Sequence, residues 1–212
     1  MTVKLLELLT YACKATNLER VDTVQEEFTL WYHPQFDVDR NGSSLLYNII
    51  RSSVESGIIA NVLEVGYPWG GRKYPGSKVM DLYDPRTDQI DYVMDACNME
   101  LESNIFDLVD CCSVLEHIPR FWLAASEMQR VLRPGGFIWV EVPSVWPFHP
   151  GGHNSLGDIN YGGDYWRMNH MSLPVLFDQC EKIATWYIPA LPRAGDDPRS
   201  GWGVVYLGRK FG

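Results

Sequence analysis

Between Ala60 and Val142, short apolar runs follow one another, each ending in glycine or a polar residue and separated by loops or amphipathic stretches. Few architectures accommodate that alternation, because strands without a polar face need cover on both sides, which a sheet between two helical layers supplies. Candidate strands are Asn61–Val65, Lys78–Met80, Tyr92–Met94, Phe106–Val109, Phe137–Val142, Ala184–Ile188 and Val204–Gly208. The clearest helix spans Arg120 to Leu132, with Phe121, Ala124, Ala125, Met128, Val131 and Leu132 on one side, and Pro134-Gly135-Gly136 ends it. A second helix is expected over Pro174–Cys180. The loop Pro189–Gly201 has no room for a crossover helix, so the last two strands should pair antiparallel. The expected fold class is α/β, a three-layer sandwich around a seven-stranded, mostly parallel sheet with an antiparallel last strand.

A chain of 212 residues fits one domain, 1–212, since a single core serves this length. Residues 1–59 read as N-terminal helical cover: Leu5, Leu6, Leu8, Leu9 and Ala12 recur at helical spacing, as do Leu45, Leu46, Ile49, Ile50 and Val54. Between them the aromatic loop Trp31–Phe36 either borders a ligand or tucks its rings into the core, the latter being the ordinary use of such residues. Lys and Arg number 18 against 27 Asp and Glu, and a net charge of -9 opposes a phosphate backbone, so no nucleic acid partner is expected. The five cysteines are odd in number and lack C-x-x-C spacing, which argues against a disulfide framework and fits a reduced, cytoplasmic setting. Glu7 interrupts the opening apolar run and no later stretch approaches about eighteen apolar residues, so neither export nor a membrane is expected. Oligomeric state leaves no mark on the sequence.

The run Asn61-Val-Leu-Glu-Val-Gly66 is a buried strand entering a glycine turn, the place where an open α/β sheet receives ligands. The following Tyr67-Pro-Trp-Gly-Gly71 does not complete the G-x-G-x-x-G dinucleotide fingerprint, which ranks a nicotinamide-dependent oxidoreductase low. Asp81, Asp95 and Asp110 each fall at or just past an expected strand end, where a carboxylate can accept hydrogen bonds from ribose hydroxyls or an adenine amino group.

The block Phe106-Asp-Leu-Val-Asp-Cys-Cys-Ser-Val-Leu-Glu-His-Ile118, followed by Glu127-Met-Gln-Arg-Val-Leu-Arg-Pro-Gly-Gly-Phe-Ile-Trp-Val-Glu-Val-Pro143, resembles the class I S-adenosylmethionine-dependent methyltransferases, particularly their type 11 group. Pro147-Phe-His-Pro150 and Asp164-Tyr-Trp-Arg167 resemble a further segment of that group, and the likeness runs from about Asn61 to Phe177. It implies a Rossmann-like fold with S-adenosylmethionine as cofactor. On the matching positions it implies that Glu64 and Gly66 belong to the first motif, whose backbone around the glycine turn approaches the methionine part, that Asp81 holds the ribose, that Asp95 and Ala96 lie beside the adenine, and that Cys112 and Ser113 lie where backbone groups line the sulfonium pocket. The chain departs from the pattern in one place: only ten residues separate Gly66 from Ser77, too few for the usual first crossover helix.

Methyl transfer needs alignment more than a catalytic triad, because the cofactor carries the electrophile. An oxygen acceptor still benefits from a base. His149, in the long loop after the fifth strand, leads the candidates ahead of His117, which is better suited to capping or orienting its turn than to catalysis, and His153, which reads as an exposed loop residue. Residues 144–170 read as a lid or acceptor loop, with Tyr165 and Arg167 as candidate contacts to a small-molecule or glycan-like acceptor, while Trp166 is expected to pack on the Pro174–Cys180 helix. Arg167 is equally suited to a structural ion pair. Glu116-His117 resembles part of the Glu-x-x-Glu-His metal motif of some O-methyltransferases, but the first glutamate position is Ser113, so no metal is expected. A non-catalytic relative that senses a ligand or binds a partner is the rival, above all if Trp69 fills the cofactor pocket.

Overall fold

The computed structural model describes residues 2–15, 45–67, 71–82, 89–149, 163–189 and 201–212. Trp31–Phe36, Trp69, His153 and the loop 190–200 therefore lie outside the described residues. In chain order the elements are α1 (Thr2–Ala15), α2 (Leu45–Glu55), β1 (Val62–Val65), β2 (Lys78–Asp81), β3 (Tyr92–Val93), β4 (Phe106–Cys112), α3 (Phe121–Val131), β5 (Leu132–Pro143), α4 (Ser172–Leu176), β6 (Cys180–Pro189) and β7 (Gly201–Lys210). They form one seven-stranded sheet in the order β3-β2-β1-β4-β5-β7-β6. β1 pairs parallel with β2 and β4, and β7 is antiparallel to both β5 and β6, so only the last strand is reversed. The expected architecture is thus present.

Strand alternation assigns the core to two faces. Leu63, Val65, Val109, Cys111, Ile138 and Val140 point to one, where Ala124, Ala125, Met128 and Val131 of α3 cover them. Val62, Leu108, Phe137 and Trp139 point to the other, under Leu5 and Leu9 of α1 and Leu46 and Ile50 of α2. Among the described residues no helix is long and apolar enough to cross a membrane.

Several boundaries move for identifiable reasons. β4 keeps its pairing with β1 through Cys111 and with β5 through Cys112, so Asp110 lies inside the strand rather than past its end. α3 ends at Val131, and β5 begins at once because Leu132 is already extended (φ -71, ψ 130) and Arg133 precedes a proline that disfavours helix. Pro134 and Gly135, at φ +76, are absorbed by a register shift in the β4–β5 pairing. The expected helix over Pro174–Cys180 is instead the short α4, because Cys180 pairs with Lys210 as the first residue of β6. Between β1 and β2 the described residues contain turns and no helix.

Asp91 pins the end of that region, accepting from the Val79 amide at 2.9 Å and from Arg72 and Lys78 at 2.6 and 2.9 Å. Burial works against its charge, but the amide and the two cations prevail and hold the carboxyl at about 2. Because that value is depressed, the contribution is complete above the ordinary carboxylate range near about 4 and disappears as pH falls toward about 2. Urea unfolding of the chain and of Asp91→Asn should therefore differ in midpoint at pH 6 and converge progressively below about pH 4.

Candidate functional site

Two groups of polar residues gather at the C-terminal end of the parallel strands. The first lies on the α1–α2 face. Glu64 on β1 is in register with Asp110 on β4, and Cys112 with Glu141 on β5, which places three buried carboxylates on adjacent strands. Buried carboxylates need partners. The turn after Gly66 supplies them. The backbone amide of Lys73 donates to Glu64 at 3.0 Å, the Tyr74 amide at 3.2 Å, and the Ser77 hydroxyl donates as well. Lys73 Nζ and the Tyr74 hydroxyl donate to the two oxygens of Asp110 at 2.7 and 2.8 Å. Tyr74, fully buried, thus occupies sheet surface that a crossover helix would otherwise cover.

The electrostatics follow from this crowding. Burial opposes the Lys73 ammonium, yet Asp110, Cys112 and Glu141 outweigh it and hold the lysine well above its ordinary range. Burial raises Glu141 to about 7, with Lys73 opposing and Asp110 adding to the rise. Burial and the Asp110 charge push the Tyr74 phenol well up. The Glu64 carboxylate, in the motif expected to approach the cofactor, is thus held by the 73–77 turn.

The expected nucleoside residues line the strand edge beside this group. Gly66 sits at φ +85, and a Cβ there would overlap Val114 Cγ2, so glycine is required both for the backbone angle and for the close approach. The Gly66 amide donates to the Met80 carbonyl, and the Tyr67 amide donates to Asp81 Oδ2 at 2.8 Å, which ties the turn to the end of β2. Asp95 Oδ1 accepts from the Cys97 amide, and Ala96 is buried next to it. Ser113 follows β4 at φ +54, an uncommon backbone conformation for serine, with its amide on the Glu141 carbonyl. Gly66, Asp81 and Ser113 therefore share one edge, and Cys112 is in register with Glu141.

The second group lies at the ends of β4 and β5. The side chain of Asp164 is fully covered and acts as its hub, accepting from the His149 amide at 2.7 Å and from both terminal nitrogens of Arg167. Arg167 and the His149 amide hold its carboxyl at about 2 despite burial. Arg167 also donates to the carbonyls of Trp146, Pro147 and Trp166, so its guanidinium is committed to structure. Trp166 packs on Phe121 and donates to the Ile118 carbonyl, at the start of α3 rather than on the expected later helix. Tyr165 is 52% exposed and its amide binds the Glu116 carbonyl. The described parts of 144–170 thereby strap the ends of β4 and β5. Inside the strap Glu116, His117 and His149 converge, and burial, with the charges of Asp164 and Glu141, raises the Glu116 carboxyl to about 8. Burial lowers His117.

Sequence reasoning passed over Lys73, Tyr74, Glu141 and Asp164. For Glu141 a signal existed: Glu64, Asp110 and Glu141 each stand two residues after an inward apolar residue, Val62, Leu108 and Trp139.

Residues 77–140 match the family model described as a methyltransferase domain. No curated protein matches the chain in sequence. Among solved structures, the 1,6-didemethyltoxoflavin N1-methyltransferase of Burkholderia thailandensis, determined with that substrate and S-adenosylhomocysteine bound, is 19% identical over 94% of this chain and 90% of its own, with a TM-score of 0.54. A Galdieria sulphuraria protein provisionally named a sarcosine dimethylglycine methyltransferase is 14% identical over 93% and 98%, with a TM-score of 0.55. The fold is theirs.

Lys73→Met leaves Asp110 buried with Tyr74 as its remaining donor, and urea unfolding should register a loss of about 3–5 kcal/mol. In the double variant Lys73→Met, Asp110→Asn much of that loss should return, because the neutral amide needs no counter-ion.

Proposed function

Starting from a class I methyltransferase fold whose residues 77–140 match the methyltransferase domain model, we propose that this chain transfers a methyl group from S-adenosylmethionine to an oxygen or nitrogen of a small-molecule or glycan-like acceptor. The observation that supports this most is the position of the Asp81 carboxylate at the end of β2, joined through the Tyr67 amide to the Gly66 turn. The residues present suit the nucleoside half of the cofactor. Asp81 would accept from the ribose hydroxyls, Asp95 and Ala96 would flank the adenine, and the backbone at Gly66 and Ser113 would approach the methionine half. When bound, the cofactor supplies a methyl electrophile on a positively charged sulfur.

The chain's own part is alignment, water exclusion and proton removal. The strap of His149, Asp164 and Arg167 would cover the acceptor, with Tyr165 at its exposed side. Arg167 acts by fixing Asp164, which orients His149. Nδ1 of His149 lies 3.2 Å from both the Pro147 carbonyl and Asp164, and Nδ1 of His117 lies 2.7 Å from the Gly163 carbonyl. Both rings therefore carry their proton on Nδ1, which leaves Nε2 of either able to take a proton from an acceptor hydroxyl.

One observation favours the rival of a non-catalytic relative: the Val114 side chain rests directly on Gly66, where the methionine half would come nearest. Thermal unfolding separates the two readings. S-adenosylhomocysteine at about a hundred times its dissociation constant adds about 2.7 kcal/mol, or roughly 5–10 °C for a chain this size, while NAD adds nothing. Asp81→Ala should lose that shift and keep its own melting temperature within a few degrees. No shift at millimolar ligand selects the non-catalytic reading, and an unchanged shift in Asp81→Ala removes Asp81 from the site.

A further inference from the structure

We infer that Glu116, His117 and His149 form a binding site for one divalent transition ion, of the two-histidine, one-carboxylate kind. The cluster holds an excess of acceptors. Glu116 follows β4 in the short 3-10 turn Leu115–His117, its side chain is 1% exposed, and neither carboxylate oxygen has a hydrogen-bond partner. A buried carboxylate with no donor is costly, and native proteins rarely leave one. Its neighbours do not supply a proton. His117 Nε2 lies 3.7 Å and His149 Nε2 3.9 Å from Glu116 Oε1, too far for hydrogen bonds.

The tautomers add to that excess. Each Nδ1 faces backbone carbonyl or carboxylate oxygens and so bears the ring proton, which turns the Nε2 lone pair of both rings toward Glu116. Three possible ligand atoms thus converge, all within 4.8 Å of one another. A small inward shift of the rings would let them share an ion at about 2.0–2.2 Å from each. The two rings stand nearly perpendicular, at 83° with centroids 5.0 Å apart, so their lone pairs approach from different sides.

The outer contacts are those that metal-bound histidines use. Nδ1 of His117 donates to the Gly163 carbonyl and Nδ1 of His149 faces Asp164, which Arg167 neutralises so that it does not compete as a ligand. Neutral imidazoles select zinc, iron(II), cobalt(II) or nickel(II) over magnesium or calcium. Three protein ligands leave an open position, where an acceptor hydroxyl would lose its proton more readily. In that state the imidazoles serve as ligands and no longer as bases. The third ligand, His149, comes from the strap and not from the position of Ser113. The site stands independently of the methyl-transfer reading, because its test is binding alone.

The test is titration of the chelator-treated full chain with Co2+, followed by visible absorption, and with Zn2+, followed by calorimetry. The expected result is one equivalent bound, without the sulfur-to-cobalt bands that the cysteines would give, and with Co2+ displaced by equimolar Zn2+ but not by equimolar Mg2+. Glu116→Gln and His149→Ala should each weaken binding by about a hundredfold or more, since loss of an outer partner alone costs 10–100-fold. His170→Ala, a residue that pairs with Tyr187 instead, should leave it unchanged. His149 is 31% exposed, so its variant reports even if the Glu116 variant fails to fold. Absence of stoichiometric binding, or equal binding in the His149 variant, overturns the site.

Discussion

Burial of three carboxylates on adjacent strands is the constraint from which the binding edge takes its shape. Glu64, Asp110 and Glu141 are exposed by 4% or less, and Lys73 is the cation placed among them. Charges in such surroundings are tolerated only when hydrogen bonds and an opposite charge reach them. The turn 72–77 must therefore fold onto the sheet, and its fold positions the rest of the edge: Ser77 is locked to Glu64, β2 starts at the next residue, and Asp81 ends that strand beside Gly66. A polar anchor thus does locally what an amphipathic crossover helix does through apolar burial. The exchange costs stability in principle, but it fixes the turn in one conformation.

A similar polar anchor recurs at the ends of β4 and β5. Asp164 is buried and paired with Arg167, which reaches back to the carbonyls of Trp146 and Pro147. That clamp joins the two described ends of the segment 144–170 and carries His149 to within reach of Glu116, thirty-odd positions earlier in the chain. Ser113, at φ +54, turns the chain from the end of β4 into the turn that carries Glu116 and His117. Proposed donor and acceptor sites are in this way set by one strand end.

Much of the fold was legible in the sequence because it rests on periodicity. The seven strands, the two-faced cover and the antiparallel last strand follow from apolar runs and loop lengths. Asp81, Asp95 and Gly66 were legible as strand-end residues for the same reason. Boundaries failed where pairing overrode local composition, as at Asp110, which the β1 and β5 neighbours hold in the strand, and at Cys180, which Lys210 draws into β6. Glu64 was assigned by its place in a motif, and the structure gives its carboxylate to backbone amides that become neighbours only when the turn folds back. The convergence of His149 on Glu116 depends on the Asp164–Arg167 clamp, and no spacing in the sequence encodes a contact made through a third residue.

The function proposed for the strand edge requires a nucleoside-bearing cofactor lying across the ends of β1, β2 and β4. Backbone amide NMR during titration with S-adenosylhomocysteine tests it residue by residue. Saturable shifts are expected at Gly66, Ala96 and Ser113, with Leu207 and Trp186 on the α1 face unmoved. Shifts confined to other surfaces, or none at millimolar ligand, would contradict it.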